Sequence, residues 1–421
     1  MNQPTALAPV TELFLRYVGV DSASNAESTE FPTSPGQLEV MHLLKDGLLE
    51  LGTADGQFVD LPEGELIVRF PATKGLEDKP YLCLSAHVDT YPGVSGAVTP
   101  IIHPPYRGGS IVLPKGDVVI PAEDLTGLEG KTIITGSGDS LLGADDKGGL
   151  AVIVDAVGNM LLKQLSHGPL DLWICTDEEI GRIKGKNIPP EIAGAWDVLL
   201  TVDGGPVGEI DLGCFACRMV KMEFYGADAH PGVYPHKLHR AHYAAMAFAM
   251  QMEQLFLNPY AGIADRRAPF FYIVDAKMDA GKASLLIVPR SFDEKETDVM
   301  MRRAVQVAQQ CARAEGCTFK IVSDETVCIN NRSINEANRD LLQPIYAAHA
   351  IHGVTTSDHN VRGGTDGAGF NMIYPTCATP NIGYGSRNLH GKEEFLVVDE
   401  LECTALILKH IIALYTEYQA V

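Results

Sequence analysis

The sequence predicts an α/β protein, a mixed-sheet domain interrupted by a smaller inserted α+β domain of ferredoxin-like type. Three observations carry this. Short apolar runs such as Tyr81-Leu82-Cys83-Leu84-Ser85 and Val198-Leu199-Leu200-Thr201-Val202 alternate with helical stretches, the texture of strands buried on both faces. Between residues 215 and 330 the order becomes strand, helix, strand, strand, helix, strand, a self-contained unit. A chain of 421 residues with 46% hydrophobic content also exceeds one core, because single cores stop growing at roughly 250 to 300 residues.

The formal charge of -21 at pH 7 disfavours nucleic acid and anionic membranes as partners and fits work on small ligands. No run approaches the roughly 20 apolar residues of a membrane-spanning helix, and Met1-Asn2-Gln3-Pro4-Thr5 lacks a basic, then apolar, leader pattern. The expected location is cytoplasmic. The nine cysteines are odd in number and mostly lie in apolar runs, so they are expected as reduced, buried thiols. Only Cys214-Phe215-Ala216-Cys217 has a suggestive spacing. A redox pair needs a strand-to-helix setting there, and a structural zinc site needs a second pair that no other cysteines supply.

In chain order, apolar residues at helical spacing predict helices over 6–18 and 36–51. Strands follow at Glu65–Phe70 and Tyr81–Ser85, the latter running into His87-Val88-Asp89. A His and an Asp two apart at a strand end point the same way, so the carboxylate can orient the imidazole, as beside a metal. A core histidine satisfied by its neighbour has the same look. Residues 91–140, rich in Pro and Gly, read as an insertion of hairpins and loops. They lead to Leu141-Leu142-Gly143-Ala144-Asp145-Asp146-Lys147-Gly148-Gly149 and a helix running to about Leu165. Two carboxylates at a helix start can serve a cation, although helix stability alone also selects acids there.

Strand Leu170–Thr176 ends in Asp177-Glu178-Glu179, and strand 196–202 ends in Asp203-Gly204-Gly205. Three successive acids repel one another unless cations neutralise them, but exposed acidic turns are common. Jointly the pattern says more than its parts, because ligands collect at the carboxyl ends of strands in open α/β sheets. His87, Asp145, Glu179 and Asp203 offer nitrogen and oxygen donors without thiolate, a set suited to zinc, manganese or cobalt. In the inserted domain, strands are expected at Met219–Phe224, Phe270–Val274, Ser284–Val288 and Thr318–Val322, with helices over about Arg240–Leu257 and Asp293–Glu315. A helix Ser333–Ala348, a strand Thr379–Gly383 and a closing helix Asp399–Tyr418 complete the first domain. That domain is therefore discontinuous, 1–214 and 331–421, around the insertion 215–330.

The succession His-x-Asp, Gly-Ala-Asp-Asp-Lys, Asp-Glu-Glu, Val-Asp-Gly-Gly, His230-Pro231-Gly232 and a late His390-Gly391-Lys392 resembles the M20 metallopeptidases over the whole chain. Within them, Tyr106-Arg107-Gly108-Gly109 and Arg362-Gly363-Gly364-Thr365-Asp366-Gly367 resemble the peptidase T subgroup of tripeptide aminopeptidases. The resemblance implies two divalent metal ions, zinc foremost with manganese or cobalt as alternatives. His87, Asp145 and Asp203 would hold one ion and Asp145, Glu179 and His390 the other, with Asp145 bridging. It further implies Glu178 as general base, Asp89 as the residue orienting His87 and His230 as oxyanion donor. Arg290 and Arg362 would anchor substrate, and the insertion would act as a lid and pair two chains. The chain departs from the family where an Asn is usual after His-Pro-Gly, because counting along it reaches Arg240, and again over Tyr384–Leu389. Arg240 either contacts substrate or sits on a solvated helix, so side-chain and length preference stay open. Hydrolysis of dipeptides, of C-terminal residues or of N-acyl amino acids would use the same metals, and a non-catalytic peptide binder is the reading from another class.

Overall fold

The computed structural model describes residues 7–94, 96, 98–182, 185–256 and 268–419. The expected helix ends at residue 6 and at Leu257 lie outside them. The chain divides into a larger unit, Met1–Gly213 with Asn331–His359 and Thr365–Val421, and a smaller one, Cys214–Asn330 with Asn360–Gly364.

The larger unit is built on an eight-stranded mixed sheet. Its order is Phe58–Asp60, Leu66–Phe70, Leu170–Cys175, Leu82–His87, Val198–Gly204, Asn381–Gly383, Glu209–Cys214 and Ser357–Val361. The central pairs Leu82–His87 with Leu170–Cys175, Leu82–His87 with Val198–Gly204, and Val198–Gly204 with Asn381–Gly383 are parallel, so their carboxyl ends share one edge. All six residues of Leu82–His87 are buried because both sheet faces are covered. Leu82, Leu84 and Ala86 pack in the core of helices Pro9–Val18, Ala144–Leu162 and Val398–Glu417. Cys83 faces the other way, into a cluster with Trp173, Trp196 and Phe370. The segment after residue 91 contributes Ile101–His103 and Ile133–Thr135 to a four-stranded sheet with Ser386–Arg387 and Phe395–Val397, plus the hairpin Ile111–Val112 with Val119–Ile120.

In the smaller unit the order is Phe270–Met278, Lys282–Ser291, Ala216–Tyr225, Thr318–Cys328, antiparallel throughout. The strands that come first and third along the chain, Ala216–Tyr225 and Lys282–Ser291, are central, the ferredoxin-like arrangement. Helices Ala241–Leu255 and Glu294–Ala314 bury Phe248, Met300, Ala304 and Val307 against Phe224, Leu285 and Ile287.

Several elements differ from expectation. The single helix 333–348 is two, Arg332–Ala337 and Gln343–Ile351. Pro344 has no N–H to continue a helix and suits the first turn of a new one. Strands Glu209–Cys214 and Ser357–Val361 are not among the expected elements, and the second is a polar sheet-edge strand without apolar alternation. None of the nine cysteines forms a disulfide. Cys214 Sγ lies 3.1 Å from Cys328 Sγ, and Cys217 sits within a strand, not at a strand-to-helix turn. Among the described residues no helix is long and apolar enough to cross a membrane.

Candidate active site

The site forms where the parallel strands end. Leu82–His87 stops at His87, whose Nδ1 donates to the backbone carbonyl of Asp89 at 2.9 Å, leaving Nε2 free to face the other donors. Asp89, fully buried, has one carboxylate oxygen 3.4 Å from His87 Nδ1. Its two oxygens also accept the backbone N–H groups of Glu178 (3.0 Å) and Glu179 (3.1 Å). One side chain thus ties the end of one strand to the turn that follows its neighbour. That turn opens on Asp177, in the left-handed region at φ +58°, whose carboxylate accepts from Thr33 N and Gln37 Nε2.

Asp145 lies at the start of the helix Ala144–Leu162, which is pressed against the sheet by its glycines. A Cβ on Gly149 would stand 1.7 Å from the Val202 carbonyl oxygen, and one on Gly148 would stand 2.3 Å from the Tyr384 ring. Only glycine permits that approach, which is why the acids of this motif reach the strand ends. Asp146, buried beside Asp145, accepts the His87 N–H at 3.3 Å.

The result is two groups sharing one residue. Asp145 Oδ1 lies 3.1 Å from His87 Nε2, which is 3.7 Å from Asp203 Oδ1. Asp145 Oδ2 lies 3.4 Å from His390 Nε2, which is 3.0 Å from Glu179 Oε2. Within His87, Asp145 and Asp203, and again within Asp145, Glu179 and His390, the ligand atoms lie within 4.8 Å of one another. Each group could hold a metal ion. Glu179 Oε1 supports that fit, because it is buried without a hydrogen-bond partner, a state costly for a carboxylate oxygen unless a cation meets it.

The electrostatics point the same way. Burial, then the charges of Asp146 and Asp145, push the Asp203 carboxyl well above its ordinary range. Burial with the charge of Asp145 lifts Glu179 to about 7, and burial lifts Glu178 well above its usual value. At Asp145 burial acts upward too, but hydrogen bonds from His390 and His87 outweigh it and hold the carboxyl below its ordinary range. Crowded acids of this kind are what a bound dication stabilises.

The structure brings His87, Asp89, Asp145, Glu178, Glu179, Asp203 and His390 together in the larger unit. His230, Arg240, Arg290 and Arg362 belong to the smaller unit. His230 is exposed, in a loop where its Nδ1 accepts from Gly232 N. The guanidiniums of Arg290 and Arg362 both lie over Phe270, at 5.9 and 5.5 Å from the ring centre, and Arg290 Nη1 donates to the Arg362 carbonyl. Arg240 pairs through two nitrogens with Glu315 and lies 4.0 Å from the Tyr243 ring centre. Two residues of the site are not singled out by the sequence. Tyr91 stacks on His390 with ring centres 4.5 Å apart, and buried Glu394 bonds the backbone at Asp145. Nothing in the spacing separates Glu394 from its neighbour Glu393.

A family model described as Peptidase family M20/M25/M40 matches residues 117–414. Peptidase T of Bacillus mycoides (strain KBAB4) is 31% identical over 413 residues, 96% of this chain and 98% of that protein. A tripeptidase of Staphylococcus aureus subsp. aureus Mu50 superposes with a TM-score of 0.72 at 20% identity, covering 97% of this chain and 98% of that one. The aminopeptidase PepT of Bacillus cereus ATCC 10987 superposes with a TM-score of 0.67, also at 20% identity and with the same coverage. With well over half its length matched by the family model and a full-length relative above 30% identity, this chain belongs to the peptidase family M20/M25/M40.

Proposed function

We propose that this chain is an aminopeptidase that hydrolyses the N-terminal peptide bond of short peptides, tripeptides foremost, using two divalent metal ions. The observation that carries the reading is the Asp145 carboxylate, whose two oxygens face two different histidines, His87 and His390. In this reading His87, Asp145 and Asp203 hold one ion, and Asp145, Glu179 and His390 hold the other. Zinc is the first choice, with manganese or cobalt compatible with the same donors. When bound, the two ions supply Lewis acidity that polarises the scissile carbonyl and makes water acidic enough to react near neutral pH. Glu178 takes the proton of the attacking water on its carboxylate and returns it to the departing amine. Asp89 keeps His87 in one tautomer through its carbonyl, and its carboxylate fixes the backbone of Glu178 and Glu179. The resemblance assigns His230 to the oxyanion and Arg290, Arg362 and Arg240 to the substrate. A guanidinium suits a peptide carboxylate through its planar fork.

We place the protein in the cytoplasm, in keeping with nine cysteines of which none forms a disulfide. We also propose a homodimer through the smaller unit, whose edge strand Phe270–Met278 leaves Tyr272 and Val274 exposed. Free tripeptides compared with N-acylated ones test the activity: release of the free N-terminal residue is expected, and cleavage of blocked substrates alone would favour an acyl-amino-acid hydrolase. Glu178→Ala should keep its metals and lose about a hundredfold or more in turnover. Undiminished turnover with unchanged metal content would remove Glu178 from its role.

A further inference from the structure

We propose that Glu394 is a positioning residue that locks the loop carrying His390 to the backbone of Asp145, and so sets the affinity of the second metal group. The inference rests on the metal reading above. Glu394 is 1% exposed. Its Oε2 accepts Gly143 N at 2.7 Å and its Oε1 accepts Asp145 N at 3.1 Å. Both carboxylate oxygens are therefore committed to the two N–H groups that flank Ala144, at the entry of the helix Ala144–Leu162. The entry residue Gly143 has φ +78°, so this backbone leaves the regular path where Glu394 seizes it.

The other end of the clamp explains why it is needed. Asn388 and His390 both occupy the left-handed region, at φ +55° and +65°. For residues with side chains that conformation is disfavoured and persists only where the surroundings impose it. His390 is exposed and reaches Asp145 and Glu179 from a loop, unlike His87 and Asp203, which lie on sheet strands. Tyr91 stacking and the bond from Asn388 Nδ2 to Asp124 steady this loop at its surface. Glu394, four residues beyond His390, is the buried tie between the loop and the shared ligand. Charge-assisted bonds from a carboxylate to backbone N–H groups are among the stronger ones a protein makes.

The test is titration of cobalt(II) into the metal-free full-length chain and its Glu394→Gln variant, read by visible absorption and by chelator competition. Glutamine keeps one accepting oxygen and turns an NH2 towards an N–H that needs an acceptor, so one bond is lost at nearly constant volume. Losing a hydrogen-bonding partner behind a ligand typically weakens metal binding about 10- to 100-fold. The expected result is a second equivalent weakened by that factor, the first changed less than about threefold, and an altered absorption of the second equivalent. Glu394→Asp, which keeps the charge but shortens the reach, is expected to fall between parent and glutamine variant, and it serves if the glutamine variant does not fold. Two equivalents bound as in the parent, or both weakened alike, overturn the inference. A parent that does not bind two equivalents overturns the metal reading instead.

Discussion

The sharpest structural prediction concerns Gly149→Ala compared with Gly47→Ala. Both glycines lie in helices, Ala144–Leu162 and Pro35–Glu50, where alanine is favoured over glycine by about 1 kcal/mol. At Gly47 a Cβ meets nothing within 4 Å, so that gain stands. At Gly149 the Cβ would lie 1.7 Å from Val202 O, 2.8 Å from Val202 C and 2.4 Å from Asp146 Oδ1. Two of these atoms are backbone of the strand Val198–Gly204, so helix and strand must part by over about 1 Å in a close-packed interior. Overpacking of this kind costs about 1 to 3 kcal/mol, more when backbone must move, and outweighs the propensity gain. Both tryptophans, Trp173 and Trp196, lie in the core of the larger unit, so their fluorescence during thermal or urea unfolding reports that unit. Gly47→Ala should raise its midpoint and Gly149→Ala should lower it. Because Asp146 bonds both Gly149 N and His87 N, the second variant should also bind metal more weakly. A Gly149→Ala midpoint equal to or above the parent's would refute the account of why this motif carries paired glycines.

Asp145→Ala removes the side chain common to both groups, so after dialysis elemental analysis should find both metals lost together, and two tightly held ions would contradict the shared-ligand architecture. Asp211 offers a pH test: burial, despite the Asn381 hydrogen bond, lifts its carboxyl to about 7, against roughly 3.9 in the unfolded chain. Between those values the folded state binds more protons than the unfolded one, so this group's contribution to stability falls as pH rises from about 4 to 7. In chelator, the stability of Asp211→Asn relative to the parent should rise over that window, and a pH-independent difference would refute the assignment.

Much of the candidate site's placement was legible because strand ends are legible. His87, the Glu178-Glu179 turn and Asp203 each follow a short apolar run, and parallel strands bring such ends to one edge without help from distant sequence. The ferredoxin-like insertion was legible for a similar reason, since four strands and two helices alternate there with clear periods. What stayed hidden depends on contacts between residues far apart in sequence. The break at Asn338 to Leu342 answers to Pro344, but the polar strand Ser357–Val361 has no pattern of its own and takes its conformation from the sheet edge it joins. Glu394 was invisible because its meaning lies in two N–H groups about 250 positions earlier, a distance no local period spans.

The way the donors are held exposes a coupling between geometry and charge. His87 and Asp203 sit on strands whose backbone bonds are supplied by the sheet, and Asp203 N is further fixed by Asn381 Oδ1. Glu179 and Asp145 sit on turns, where the sheet supplies nothing and the N–H groups must find other acceptors. In both places the acceptor is a buried carboxylate, Asp89 for one and Glu394 for the other. A neutral amide could accept one such bond, but only a carboxylate offers two oxygens to two N–H groups with no donor turned the wrong way. Each of these supports therefore adds a carboxyl group beside residues that are already acidic. Of the cations available nearby, Lys147 is buried, donates to the Val20 carbonyl, and is itself pulled down by burial to about 8. It is one cation among six carboxyl groups, those of Asp89, Asp145, Asp146, Glu179, Asp203 and Glu394, and burial raises Asp146, Glu179, Asp203 and Glu394 above the ordinary carboxyl range. In the two-metal reading proposed above, the residues that give the turns their precision would also raise the affinity of this edge for dications, so that fixing the ligands and demanding the metals are one and the same investment of carboxylates.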